Sequence, residues 1–231
     1  MADEFKVSEE KMRDASMGDV AIAQFKRMYD IWRAGGEETT IIEDDVEPLV
    51  HVPSFHDVYE TINHDKAVEA FSRTAFLKLN GGLGTSMGLE QAKSLLPVRR
   101  HKARQMRFLD IILGQVVMAR RRLDVPLPLT LMNSFRTSRD TMRRISRNRY
   151  FVQDTIPCEI IQHREPRIVE DTGLPVSYEK DRQLEWCPPG HGDLFATIWE
   201  SGLLDILQKQ GMSYLFISNS DNLGARPSRT L

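Results

Sequence analysis

The sequence predicts an α/β protein whose mainly parallel sheet is covered by helices on both faces. Three observations predict it. From residue 75 onward, short apolar runs alternate with longer stretches of helical period, the rhythm of successive βαβ units. The first of those runs is followed directly by a glycine-rich loop, Gly81-Gly82-Leu83-Gly84. The composition, 41% hydrophobic and 28% charged over 231 residues, can fill a core and suits one large domain or two small ones.

Residues 19–33 place Ala21, Phe25, Met28 and Trp32 at helical spacing, with Asp19 as N-cap and Gly35-Gly36 as the stop. Residues 37–57 are acidic and punctuated by proline, a connector expected to pack across another unit. Ala75–Asn80 reads as a buried strand, 107–123 as a helix through Leu109, Ile112, Val116 and Leu123, and 128–132 as a second strand. A helix over 138–149 and a strand over 158–162 follow. Gly173-Leu174-Pro175 marks an excursion or hairpin. Asp193 is expected to cap a helix reaching about Lys209, which Gly211 ends before a last strand over 213–218. In such sheets, ligands bind beyond the carboxyl ends of the strands.

Charge is uneven beneath a net of −2. Residues 1–60 carry 15 acidic and 6 basic side chains, whereas 99–149 carry 14 basic and 3 acidic. Met142 and Ile145 keep a core-facing spacing while Arg143, Arg144 and Arg147 fall elsewhere, so most of the basic stretch reads as solvated faces and internal pairs. No nucleic-acid partner is expected, and no apolar run approaches the ~20 residues of a membrane span. A charged start and two free cysteines, Cys158 and Cys187, point to the cytoplasm.

Chemistry concentrates at the loop Leu79–Gly88. Its glycines let backbone N–H groups converge on an anion, as a loop that cradles a triphosphate must. It is neither a Walker loop nor a dinucleotide fingerprint, because no Gly-Lys-Ser/Thr follows and the third glycine falls one position late. Lys93 lies within reach of a phosphate held there. Pro188-Pro189-Gly190-His191-Gly192-Asp193 leads into a helix N-terminus, and Asn219-Ser220-Asp221 follows an apolar strand, where a carboxylate can hold Mg²⁺ together with phosphates.

These segments, with Phe108–Gln115, Leu131–Phe135 and Ile161–Arg167, stand in the order of the UTP–glucose-1-phosphate uridylyltransferases, which residues 75–225 resemble. The resemblance implies a Rossmann-like, glycosyltransferase-A-like nucleotidyltransferase sheet. It assigns Leu79, Asn80, Gly81, Gly82, Gln162, Gly190 and Asn219 to the nucleotide, and Gly81, Gly82 and His191 to the sugar phosphate. Lys93 becomes the catalytic residue and Asp221 the Mg²⁺ ligand. UTP and glucose 1-phosphate would be the substrates, UDP-glucose and pyrophosphate the products. Arg136 departs from the family pattern, which has a small polar residue there. Gly84-Thr85-Ser86-Met87 favours glucose over the sugars of UDP-N-acetylhexosamine or broad UDP-sugar pyrophosphorylases. The family's catalytic domain runs on past Leu231 into a β-helix domain. Residues 1–60 are therefore expected to form an N-terminal helix and connector, and 61–231 the first part of a catalytic domain lacking the rest of the sugar site. A nucleotide-binding module without turnover, and an RNA binder using 99–149, are the rival readings.

Overall fold

The computed structural model describes residues 4–36, 41–54, 56–57, 63–84, 88, 91–101 and 104–225. At its centre four parallel strands lie in the order β5-β4-β1-β8. These are β1 (Thr74–Asn80), β4 (Leu129–Asn133), β5 (Glu159–Ile161) and β8 (Tyr214–Asn219). Alternate residues of a strand face opposite sides. Phe76 of β1 thus joins Leu129 and Leu131 under the helix α4 (Phe108–Leu123), where Leu109, Ile112, Leu113 and Val116 complete one core. Ala75 and Leu77 join Met132 and Ile160 on the other face, beneath α6 (Leu194–Glu200) and α7 (Leu203–Lys209), through Leu194, Ile198, Leu203 and Leu207. A strand buried on both faces favours apolar side chains on each, which is why Ala75–Leu77 reads as an unbroken run.

The parallel order requires crossovers. Between β1 and β4 the chain makes a hairpin, β2 (Pro97–His101) with β3 (Arg104–Arg107), and then α4. Asp110 fixes the start of α4 by accepting the Arg107 backbone N–H (2.9 Å) and receiving both prongs of Arg144 (2.7 and 2.6 Å) from α5 (Ser138–Ile145). Arg120 is also spent internally, donating to the Leu127 and Val152 carbonyls. Arg120 and Arg144 of the basic stretch are therefore structural, while Arg99 and Arg100 are exposed on the hairpin.

The N-terminal helices α1 (Glu4–Asp14) and α2 (Asp19–Arg33) enclose a third core of Phe5, Met12, Ile22, Phe25 and Tyr29, shared with Trp186. They dock on the excursion between β6 (Glu165–Pro166) and β7 (Trp186–Cys187). Lys11 donates to Glu185 (2.5 Å) and the Val176 carbonyl (2.6 Å), and Tyr29 donates to the Gly173 carbonyl (3.0 Å). The glycine turn does form a hairpin, closed by a bridge between Ile168 and Pro175.

Four expectations change. Asp19 is the first helical residue of α2 rather than its cap, because its carboxylate turns to Arg13 (3.0 Å) and Gly18 occupies the cap position. The long helix after Asp193 is two helices, broken where Gly202 turns left-handed at φ +69°. The α5 helix stops at Ile145, and Arg147 and Asn148 wind on through turns. Residues 41–54 of the connector are exposed throughout, so they pack across no other described unit. Besides α1, the sequence reading also passed over α3 (His64–Ser72), whose start Asn63 caps by accepting two backbone N–H groups at 3.1 Å.

Candidate nucleotide-binding site at the carboxyl edge of the sheet

The register brings the expected site residues together. Asn80 stands opposite Asn133, Asn133 opposite Ile161, and Leu79 opposite Asn219, so four strands end on one line. Gly81 and Gly82 continue from β1, Gln162 from β5, and Ser220 and Asp221 from β8.

A buried polar chain locks that line. Asn80 accepts from Ser220 Oγ (2.9 Å) and donates to Asn133 Oδ1 (2.6 Å) and Thr141 Oγ1 (3.0 Å), while Asn133 donates to Glu159 (2.8 Å). The Asn80 side chain is thus fully used inside the protein, and what it offers a ligand is backbone. Ser134 Oγ donates to the Gly81 carbonyl (2.9 Å), and the Lys93 N–H donates to the Gly82 carbonyl (3.1 Å). Gly84 is tied to the Gln91 carbonyl (2.9 Å). The loop backbone is held from both sides, so it presents a preformed surface. Residues 85–87, on which the distinction among sugars rested, lie outside the described residues.

Gln162 is 5% exposed. Its backbone N–H is fixed to the Asn133 carbonyl (2.8 Å), and a Cβ added at Gly81 would land on its side-chain amide. Only glycine leaves room for that amide at the mouth of the loop. No hydrogen bond to it is made among the described residues, and its atoms are not among the buried ones left without a partner, so the amide is open at the mouth of the loop.

The Lys93 stem runs over Gly82, and its ammonium lies 3.8 Å from Asp221 Oδ2. Both side chains are more than a third exposed, so this is an accessible pair facing the loop. Among the described residues no three His, Cys, Asp or Glu side chains cluster as a metal cage. A lone accessible carboxylate beside the phosphate loop matches Mg²⁺, which keeps waters and substrate oxygens as most of its ligands.

Gly190 (φ +97°) turns the chain so that exposed His191 opens a short turn ahead of α6. Asp193, read from sequence as a helix cap, makes no cap bond. Its carboxylate reaches instead to His163, the neighbour of Gln162. Sequence reasoning missed this, as it missed the structural use of Asn133 and Ser134, because residues some 30 positions apart carry no local signal. Arg136 stacks over Phe135 and donates to the Gln183 carbonyl (2.9 Å), which gives that departure a local structural role.

A parallel sheet with helices on both faces, ending in a glycine loop, a lysine and a carboxylate, defines the class as a doubly wound α/β domain with an anion-binding loop at the carboxyl edge of its sheet. Comparison narrows this to one family. The model of the UTP–glucose-1-phosphate uridylyltransferases matches residues 22–231, and the chain belongs to that family. The enzyme of that name from Saccharomyces cerevisiae is 45% identical over 172 residues, 72% of this chain and 33% of its own length. One from Dictyostelium discoideum is 43% identical over 71% of this chain and 32% of its own. The chain thus spans about a third of the curated relatives it matches. Among solved structures, a UDP-glucose pyrophosphorylase mutant from Leishmania major in complex with UDP-glucose superposes with a TM-score of 0.84 at 36% identity. It covers all of this chain and 46% of its own. A Trypanosoma brucei structure, titled UDP-glucose phosphorylase, reaches 0.85 at 36% identity, covering 98% of this chain and 47% of its own.

Proposed function

We propose that the chain carries the nucleotide half of a uridylyltransferase site, in which UTP and glucose 1-phosphate yield UDP-glucose and pyrophosphate. The observation that supports this reading is the Gln162 amide, which faces Gly81 at the mouth of the loop and makes no hydrogen bond among the described residues. One side-chain amide offers a donor and an acceptor together, matching the imide edge of uracil.

The ribose and phosphates then run along Leu79–Gly82, with Asn219 and Gly190 flanking the nucleotide and His191 facing the sugar phosphate. The attacking group is a phosphate oxygen, largely ionised near neutral pH because its second pKa is about 6, so no general base is needed. What remains is to hold two polyanions together and to support charge on the departing pyrophosphate. The Gly81 and Gly82 backbone and the Lys93 ammonium would meet the α- and β-phosphates, with Asp221 Oδ2 3.8 Å from that ammonium. Mg²⁺, held by Asp221 and the phosphates, would add neutralisation of the leaving group. Attack is direct and in line, without a covalent intermediate. A cytoplasmic setting goes with this reading, since Cys158 and Cys187 are free thiols.

Calorimetric titration of the chain with UTP, CTP, ATP and UDP-glucose tests the reading. UTP should bind at least about tenfold more tightly than CTP or ATP, a difference of ~1.4 kcal/mol. Gln162→Ala should erase that preference while leaving phosphate-dependent affinity in place. Equal binding of all three nucleotides would overturn it.

A further inference from the structure

Beside the proposed contact residues lies a charged cluster they do not use. His163 directly follows Gln162. Its backbone N–H donates to Asp193 Oδ2 (2.7 Å), its Nδ1 faces Asp193 Oδ1 (2.7 Å), and its Nε2 faces Glu200 Oε2 (2.5 Å). Asp193 is 1% exposed and also accepts from Thr197 Oγ1 (2.9 Å). Two carboxylates against both ring nitrogens require both to carry hydrogen, so His163 is an imidazolium here. Its pKa lies above the ordinary histidine value, chiefly through the Asp193 hydrogen bond.

The cluster sits between the two segments that would grip opposite ends of a nucleotide sugar. Asp193 stands two residues after His191, and its own N–H donates to the Gly190 carbonyl (3.3 Å). One residue therefore bonds the Gly190 turn through its backbone and the strand end at Gln162 through its side chain.

We propose that Asp193, with His163 and Glu200, is a positioning clamp that sets Gln162 at a fixed distance from the Gly190–His191 turn. Base recognition is thereby coupled to the sugar-phosphate end. The proposal rests on Gln162 reading uracil. The groups facing His163 are Asp193 from the turn before α6, Glu200 from the end of α6, and Glu165 from β6. Burial and the Asp193 charge push Glu165 up to about 7. Arg164 points away, stacked over Trp186 and donating to the Ala15 carbonyl (3.1 Å). The sign follows: the clamp is complete while His163 is charged, and it loosens as pH rises through its raised pKa.

The test is the ratio of UTP to CTP affinity, measured from about pH 6 to about pH 9, below the titration of uracil, with folding checked by near-UV circular dichroism. The wild-type ratio should fall as pH rises through the His163 titration; because Glu165, near 7, ionises in the same window, the fall is read in Glu165→Gln, where adding His163→Gln should make the ratio flat with pH. Asp193→Asn should lower it at all pH values. Adding Gln162→Ala to Asp193→Asn should then cost little more, because the amide is already out of place. If Asp193→Asn does not fold, Glu200→Gln and the Glu165→Gln pH profile still decide. A selective Glu165→Gln chain whose ratio is flat with pH, or a selective wild-type chain in which Asp193→Asn and Gln162→Ala act additively, refutes the clamp alone. A wild-type chain with no uridine preference at any pH overturns the uracil reading and the clamp with it.

Discussion

Replacing Gly81 by alanine isolates the closest approach in the site. Gly81 has no left-handed backbone to strain, and the nearest atoms an added methyl group meets all belong to the Gln162 side chain. Its ideal position falls on the amide nitrogen, 2.9 Å from the amide carbon and 3.3 Å from the amide oxygen. The two cannot coexist. The loop cannot yield easily, since the Gly81 carbonyl is held by Ser134, the Gly82 carbonyl by Lys93, and Asn80 by three side-chain bonds. Gln162 must therefore swing away. Because the displaced group is the far end of a flexible side chain, the stability cost should stay below about 1 kcal/mol, and the effect falls on binding. Losing two neutral hydrogen bonds to uracil, at about 0.5–1.5 kcal/mol each, weakens UTP binding by roughly 5- to 150-fold. Chemical denaturation and UTP titration of Gly81→Ala, Gln162→Ala and the double variant measure both terms. In the Gln162→Ala background the methyl group has room, so the cycle should show a coupling of about 1–3 kcal/mol. Additive effects, or a Gly81→Ala chain that binds UTP as the wild type does, would refute the steric argument.

Other positions give independent checks. Lys78 is 4% exposed and, among the described residues, its ammonium donates to the Ala225 carbonyl (2.7 Å) and pairs with no carboxylate; burial lowers its pKa from 10.5 to about 8. Wild-type stability should therefore rise as pH goes from about 8 to about 10.5, where the unfolded chain binds the extra proton. Lys78→Met should remove that slope and stabilise the fold at pH 7 by on the order of 1–2 kcal/mol, read by urea denaturation. Asp110→Ala removes a bidentate pair with Arg144 and the bond to the Arg107 N–H, and should cost about 2–4 kcal/mol in the same assay. Asp221→Asn should abolish the strengthening of UTP binding by Mg²⁺ while leaving metal-free binding equal or tighter, since it also frees Lys93; titration with and without EDTA reads this.

The sheet was legible because burial on both faces leaves an unbroken apolar run such as Ala75–Leu77, and because glycine loops after strands have few alternatives. Gln162 stood out only through the family resemblance; nothing in its neighbours shows that the amide would lie against Gly81. Asp193 was misread for a physical reason. An aspartate ahead of a helix looks the same whether its carboxylate bends back to the helix or reaches a strand 30 residues away. Gly202 carried its signal openly, yet the apolar period runs through the break, since Ile198, Leu203 and Leu207 all face one core. The α1 helix escaped notice because Glu4–Asp14 is mostly charged, and its stripe of Phe5, Ser8 and Met12 is narrow. Its docking on the excursion depends on Lys11 meeting Glu185, a pairing 174 residues long.

A crystal structure of the chain with UTP and Mn²⁺ in place of Mg²⁺ tests the central claim most directly. The account predicts the uracil imide edge on the Gln162 amide, phosphates along Gly81–Gly82 toward Lys93, and an anomalous peak at Asp221. A nucleotide seated elsewhere, or a uracil that leaves Gln162 unpartnered, would contradict it.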